Sequence, residues 1–161
     1  MELTSLKDNE KETANDETQV TQENINSVIE GYIRTGHIMQ EYVSPLKSRI
    51  TLSAPSQEGL MCAMRIFDAM LFDKEDQNVS ADRMQLMKNN CMVGLYAAKY
   101  NDNDYIKTQG DTYYTEQSIR ERIEAIMKMN VFEMTWVLTK MEDLQKIGYE
   151  AFKDTHLKNT I

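Results

Sequence analysis

Apolar side chains recur at helical spacing in five windows of this chain and at strand spacing in one. Ile25, Val28, Ile29, Tyr32 and Ile33 share one face of a helix that begins near residue 23 and is stopped by Gly36. Leu60, Met64, Phe67 and Leu71 mark the buried face of a second helix, with Met61 and Met70 flanking it. Ser56 is its cap, and it runs to about Phe72. Met84, Met87, Cys91 and Leu95 stripe a third, capped by Ser80 and carrying Asp82 near its positive end. Ile119, Ile123, Ile126 and Met127 follow a cap at Thr115. Asn130 with Glu133 has the form of a capping box, so a fresh helix begins near Val131. There Met134, Val137, Met141, Leu144 and Gly148 step by 3, 4, 3 and 4, a short heptad-like seam. So short a seam is read as packing on the domain's other helices, with a coiled coil as the alternative.

The strand-spaced window lies between the first two helices, in HIMQEYVSPLKSRITLSAPSQE, residues 37 to 58. Ile38, Gln40 and Tyr42 alternate with Met39, Glu41 and Val43. Ser44-Pro45-Leu46-Lys47 has turn chemistry, because proline fixes φ at the second position. Arg49 to Leu52 resumes the extended pattern, and Ala54-Pro55 ends it, since the residue before proline is pushed out of the helical region. A hairpin at about 37–53 follows. A hairpin alone is marginal in water. It either folds back on its own helices or offers its edge to a second copy or a client.

Between these windows the chain is polar. Residues 1–22 hold no aromatic and few large apolar residues, too little to offset ordering entropy, and are expected to form a disordered acidic tail. DKEDQN at 73–78 reads as a charged linker and NDNDYIKTQGD at 101–111 as a polar loop. The expected fold is mainly α: a compact bundle of four to five helices with a small β-hairpin, forming one domain over 23–161.

Composition narrows the function. The 161 residues carry a formal net charge of -8, from 18 basic and 26 acidic residues. Binding to a phosphate backbone needs clustered Lys and Arg, so neither nucleic acid nor an anionic membrane surface is an expected partner. No apolar run approaches the ~20 residues of a membrane span. Cys62 and Cys91 fall in apolar helical contexts and read as buried thiols in a reducing compartment. MELTSLKDNE lacks the order of a signal peptide, so the expected compartment is cytoplasmic.

Candidate chemistry is sparse. His37 and His156 stand far apart, and no CxxC or HExxH spacing exists. Asp102, Asn103 and Asp104 suggest a calcium loop, but Lys107 and Tyr113 stand where an EF-hand needs glycine and glutamate. A pair of His37 with Cys62 or Cys91 is opposed by the apolar setting of both thiols. No nucleophile elbow or glycine-rich phosphate loop occurs. The expectation is a protein that is not an enzyme, with no metal and no cofactor. The 12 methionines remain unusual. Flexible, polarizable methionine suits surfaces that accept varied apolar segments. Met64, Met84 and Met87 are expected in the core. Met61, Met70 and Met92, nearer the stripe edges, either line a groove or fill the same core.

The order of an acidic tail, a ribbon ending in SRITLSAPSQE, amphipathic helices with a charged interruption and a closing helix NVFEMTWVLTKMEDLQKIGYEAF is similar to small tail-assembly chaperones and baseplate-hub assembly proteins of long-tailed bacteriophages. Arg49, Ile50, Leu52, Pro55 and Glu58 match their ribbon pattern, and the layout covers roughly residues 37–152. The resemblance implies a non-enzymatic role in a host cytoplasm. Such a protein shields apolar helices of a tape-measure, hub or other tail component. Met61, Met70, Met92, Arg49, Ile50 and Leu52 are then the candidate protein-binding residues. The alternatives are a structural subunit of a virion or other large assembly, a homo-oligomer built through the hairpin, and an acidic regulator that binds a basic protein.

Overall fold

A computed structural model describes residues 20–72, 79–105 and 114–158. Within them the chain is mainly helical, with one small antiparallel sheet. The order is α1 (Gln22–Thr35), β1 (Met39–Val43), β2 (Arg49–Ser53), α2 (Gln57–Phe72), α3 (Ala81–Tyr96), β3 (Ala97–Tyr100), β4 (Asn103–Asp104), α4 (Glu116–Ile126) and α5 (Val131–Lys158). Residues 1–19, the linker 73–78, residues 106–113 with Lys107 and Tyr113, and the side chain of His156 lie outside the described residues.

The helix starts follow local chemistry. The Thr21, Ser80 and Thr115 hydroxyls accept from backbone N–H groups three residues on. The Ser56 hydroxyl accepts from Gly59 and the Asn130 side chain from Glu133, at 3.1 and 2.8 Å. Each satisfies a donor that the first helical turn leaves without an intrahelical partner. Gly36 ends α1 with φ 73, a left-handed conformation that glycine adopts without a Cβ penalty.

The hairpin forms where the alternation placed it. Its turn closes through the Lys47 N–H donating to Ser44 O at 2.8 Å, with Lys47 at φ 64. The ribbon is not isolated, however. The sheet runs β1-β2-β3-β4, every pairing antiparallel, so two short strands extend the hairpin on the β2 side. The 101–111 segment thus opens as a β-turn and strand rather than as plain loop. At that turn Asn101, at φ 49, is tied to β2: its N–H donates to Arg49 O, and its side-chain oxygen accepts from the Arg49 N–H.

Three apolar clusters hold the elements together. The largest sets Met134, Val137, Met141 and Leu144 of α5 against Ile50, Leu52 and Ala97 of the sheet, Val93 and Tyr96 of α3 and Ile126 of α4. The seam of α5 is therefore internal, and it packs on the sheet as well as on residues of α3 and α4. Further along α5, Ile147 and Ala151 pack on Ile25 and Val28 of α1. Tyr32 and Ile33, one turn later in α1, are left 54 % and 78 % exposed. Helices α2, α3 and α4 meet at Cys62, Ala63, Ile66, Cys91, Leu95, Ile119 and Ile123. Met127, expected on the buried stripe of α4, is exposed at that helix's end.

Helix α2 turns a different face inward from the one its large apolar residues suggest. Gly59, Cys62, Ala63 and Ile66 are buried, while Leu60 and Met64 are exposed. The inward stripe sits one residue earlier than the expected Leu60, Met64 and Phe67. Close approach explains the choice. A Cβ on Gly59 would lie 2.6 Å from the Tyr114 ring, so only glycine fits at that point of the inward face. The larger side chains rotate toward solvent. At the α3–α4 crossing Gly94 plays a similar part, with a would-be Cβ 2.7 Å from Ile123 Cγ1.

Candidate functional site

The turn of α2 leaves an apolar groove between α2 and α3. Its volume is about 550 Å³. Ala63, Met64 and Phe67 line one wall, and Ala81, Met84, Cys91 and Met92 the other. Asp68, Gln85 and Lys88 supply the polar part of the lining, one carboxylate against one ammonium. Along α3 the lining residues 81, 84, 85, 88, 91 and 92 fall at helical spacing on one face. The alanines leave room and the methionines supply adaptable apolar contact.

The groove corrects the expected sorting of methionines. Met64 and Met84 are not core residues: they are 53 % and 41 % exposed and line the groove. Met87 is buried, as expected. Of the three groove candidates only Met92 lines it. Met61 is exposed on α2 away from the groove lining, and Met70 packs into the α2–α3–α4 cluster, with its sulfur 3.8 Å from Cys91 Sγ. The cause is again the rotation of α2, which moves position 64 out to where position 61 was expected.

Among the hairpin candidates, Ile50 and Leu52 are 1 % and 0 % exposed and belong to the sheet–α5 core. They are not available to a partner. Inward alternation, which made them stand out in the sequence, is also what buries them. Arg49 remains exposed at the start of β2.

Both cysteines are buried free thiols. Burial pushes the Cys91 thiol up to about 11, only partly offset by the Arg120 charge. A thiol held in its neutral form is a poor nucleophile. His37, the proposed partner of such a thiol, sits just beyond α1, with its backbone N–H donating to the Thr35 hydroxyl. Among the described residues no three His, Cys, Asp or Glu side chains gather in a way that could hold a metal ion. No described helix is long and apolar enough to cross a membrane.

Two polar clusters escaped the sequence reading. Arg122 is fully buried on α4, with its guanidinium donating to the carbonyls of Leu95 and Ala97 at 3.4 and 3.2 Å and flanked by the Tyr105 and Tyr114 rings. Those carbonyls end α3, where a cation complements both the unsatisfied acceptors and the helix dipole. On the other side of the fold, Lys140 lies 5.9 Å from the ring centres of both Tyr42 and Trp136 and pairs with the buried Asp143 at 3.3 Å. Tyr42 and Trp136 meet edge to face. Burial and the Asp143 charge together raise the Tyr42 hydroxyl above its ordinary value. This cluster clamps β1 to α5. A buried arginine and an aromatic–lysine stack carry no spacing signature, so no local signal could have found them.

Comparison of the chain with protein-family models, with curated proteins and with solved structures gives no match.

Proposed function

We propose that this chain is a non-enzymatic protein-interaction protein whose α2–α3 groove holds an apolar helical segment of a client. The observation that carries the reading is the pair of exposed methionines lining that groove, Met64 and Met84. Exposed, flexible apolar side chains gathered along one groove suit a partner that covers them. An amphipathic helix fits such a trough through residues at i, i+3/i+4 and i+7. Within the resemblance to phage tail-assembly proteins, the client is a tape-measure, hub or other tail component with helices that need shielding before assembly. The site of action is then the host cytoplasm.

The test uses the full chain carrying 13C-methyl methionine and a synthetic amphipathic helix with leucine at those spacings. Titration should shift the methyl signals of Met64, Met84 and Met92 and leave the buried Met134 and Met141 in place. Binding should vary little with salt, because apolar contact is not screened. A response confined to other methionines, or none at millimolar peptide, refutes the groove reading. The net charge of -8 favours a second reading, an acidic regulator of a basic protein. That reading requires binding that falls steeply with salt.

A further inference from the structure

The hydrogen-bond alternation of the hairpin identifies which groups of β1 face outward. The Ser44 N–H donates to Ser48 O, and the Ala54 N–H to Ile38 O, both at 2.8 Å. Antiparallel pairs alternate between bonded and non-bonded. With Gln40 opposite Leu52 and Tyr42 opposite Ile50, the even-numbered residues of β1 are therefore the ones that bond to β2. The N–H and C=O groups of Met39, Glu41 and Val43 point the other way, where no further strand of the sheet lies among the described residues. Glu41 and Val43 are exposed and Met39 is half-buried.

The charges on the sheet say what would pair there. Glu41 lies beside Thr51, Thr51 beside Lys99, and Lys99 beside Asp104, one cross-strand row with alternating sign at its charged positions. A residue added beside Glu41 extends that row favourably only if it is basic. A second copy of this chain is a poor occupant. Two-fold pairing that uses Met39, Glu41 and Val43 together sets Glu41 directly opposite Glu41, and like charges so placed destabilise a sheet. Sliding the register one way brings up Pro45, which has no N–H to give. Sliding it the other way pairs Val43 with His37, outside the strand. The inner side of β1 adds a further preference. Gln40 Oε1 and Tyr42 Oη are buried without a hydrogen-bond partner. A fifth strand sets side chains beside both residues on that same side, where hydroxyls can supply the missing bonds.

We propose that the outer edge of β1 docks an extended segment of a different protein. That segment carries lysine or arginine opposite Glu41, apolar residues opposite Met39 and Val43, and hydroxyl residues between them. The edge shares no residue with the α2–α3 groove, so either surface can fail without the other.

The probe is a blocked peptide, Ser-Val-Thr-Lys-Thr-Val-Ser, added to the full 15N-labelled chain. The Met39, Glu41 and Val43 amides should shift and exchange more slowly with solvent. Replacing the peptide lysine with glutamate should weaken binding about fivefold or more, the equivalent of ~1 kcal/mol for a cross-strand charge pair. Glu41→Lys, a surface change that leaves the core untouched, should reverse that preference. N-methylation of the peptide's lysine and valine amides should abolish binding. The proposal is overturned if millimolar peptide leaves the three amides unprotected, or if the lysine preference survives Glu41→Lys. It is also overturned if those amides are already protected in a concentration-dependent dimer seen by sedimentation, which would make a second copy the occupant.

Discussion

Replacing Gly94 with alanine tests the α3–α4 crossing on which one wall of the groove depends. In an open helix interior, glycine to alanine is favourable by ~0.8–1 kcal/mol. Gly31 in α1 supplies that reference: beyond its own stretch of helix backbone nothing lies within 4 Å of its would-be Cβ, so Gly31→Ala should stabilise the protein by ~0.5–1 kcal/mol. At Gly94 the new methyl would sit 2.7 Å from Ile123 Cγ1 and 3.1 Å from the Ile123 Cα and N. The side-chain contact can be relieved by rotation, but the backbone contacts cannot unless α4 moves. Overpacking of this kind costs ~1–3 kcal/mol, which offsets the propensity gain and leaves a net loss of up to ~2 kcal/mol. Urea denaturation reads both variants. With a slope near ~2 kcal/mol/M, Gly94→Ala should lower the midpoint by up to about one molar while Gly31→Ala raises it, the slope unchanged in both. In an Ile123→Ala background the Gly94→Ala loss should shrink without vanishing, since the backbone contacts persist. A Gly94→Ala midpoint at or above the parent's would refute the close crossing.

Three further outcomes follow from other parts of the core. Leu144→Ala, at a fully buried position between α5 and the sheet, should cost ~2–5 kcal/mol; a midpoint that varied with protein concentration would point instead to a seam shared between chains. Arg122→Lys keeps the charge but not the fork that reaches Leu95 O and Ala97 O, and should lower thermal stability by ~1.5–3 kcal/mol; an unchanged melting temperature contradicts the capping role. The Cys91 thiol titrates higher in the folded chain than its ordinary 9.0, at about 11, so across that window the unfolded chain releases the proton first. Stability should therefore be complete below about pH 8.5 and fall as pH rises toward 11, with the half-buried Tyr105 and Tyr114 adding to the loss above pH ~10. Cys91→Ala should remove the earlier part of that fall in pH-dependent melting curves, and a fall of the same size in the variant excludes Cys91 as its source.

Where the sequence was legible, the governing chemistry was local. Ser56, Ser80, Thr115 and Asn130 cap helices through groups three residues away, and Gly36 stops α1 by its own backbone freedom. The hairpin is similar, since its alternation and the Ser44–Lys47 turn need no distant partner to be read. Legibility ended where a distant element chose between two local options. Leu95-Tyr96-Ala97-Ala98 suits a helix as well as a strand, and only the waiting edge of β2 makes Ala97 extended. The rotation of α2 is the same kind of choice. Its stripe of Leu60, Met64 and Phe67 is the better hydrophobic face in isolation, yet the close approach of Tyr114 is met only by turning Gly59 inward. That choice has a functional corollary. Because the small stripe is buried, the large apolar side chains have to go outward, and Met64 becomes a groove wall instead of a core residue. The groove is thus a by-product of close helix packing as much as of surface composition. Enlarging Gly59, about one helical turn before Ala63 and outside the groove lining, should therefore disturb the groove by turning α2, with no change to any residue that lines it.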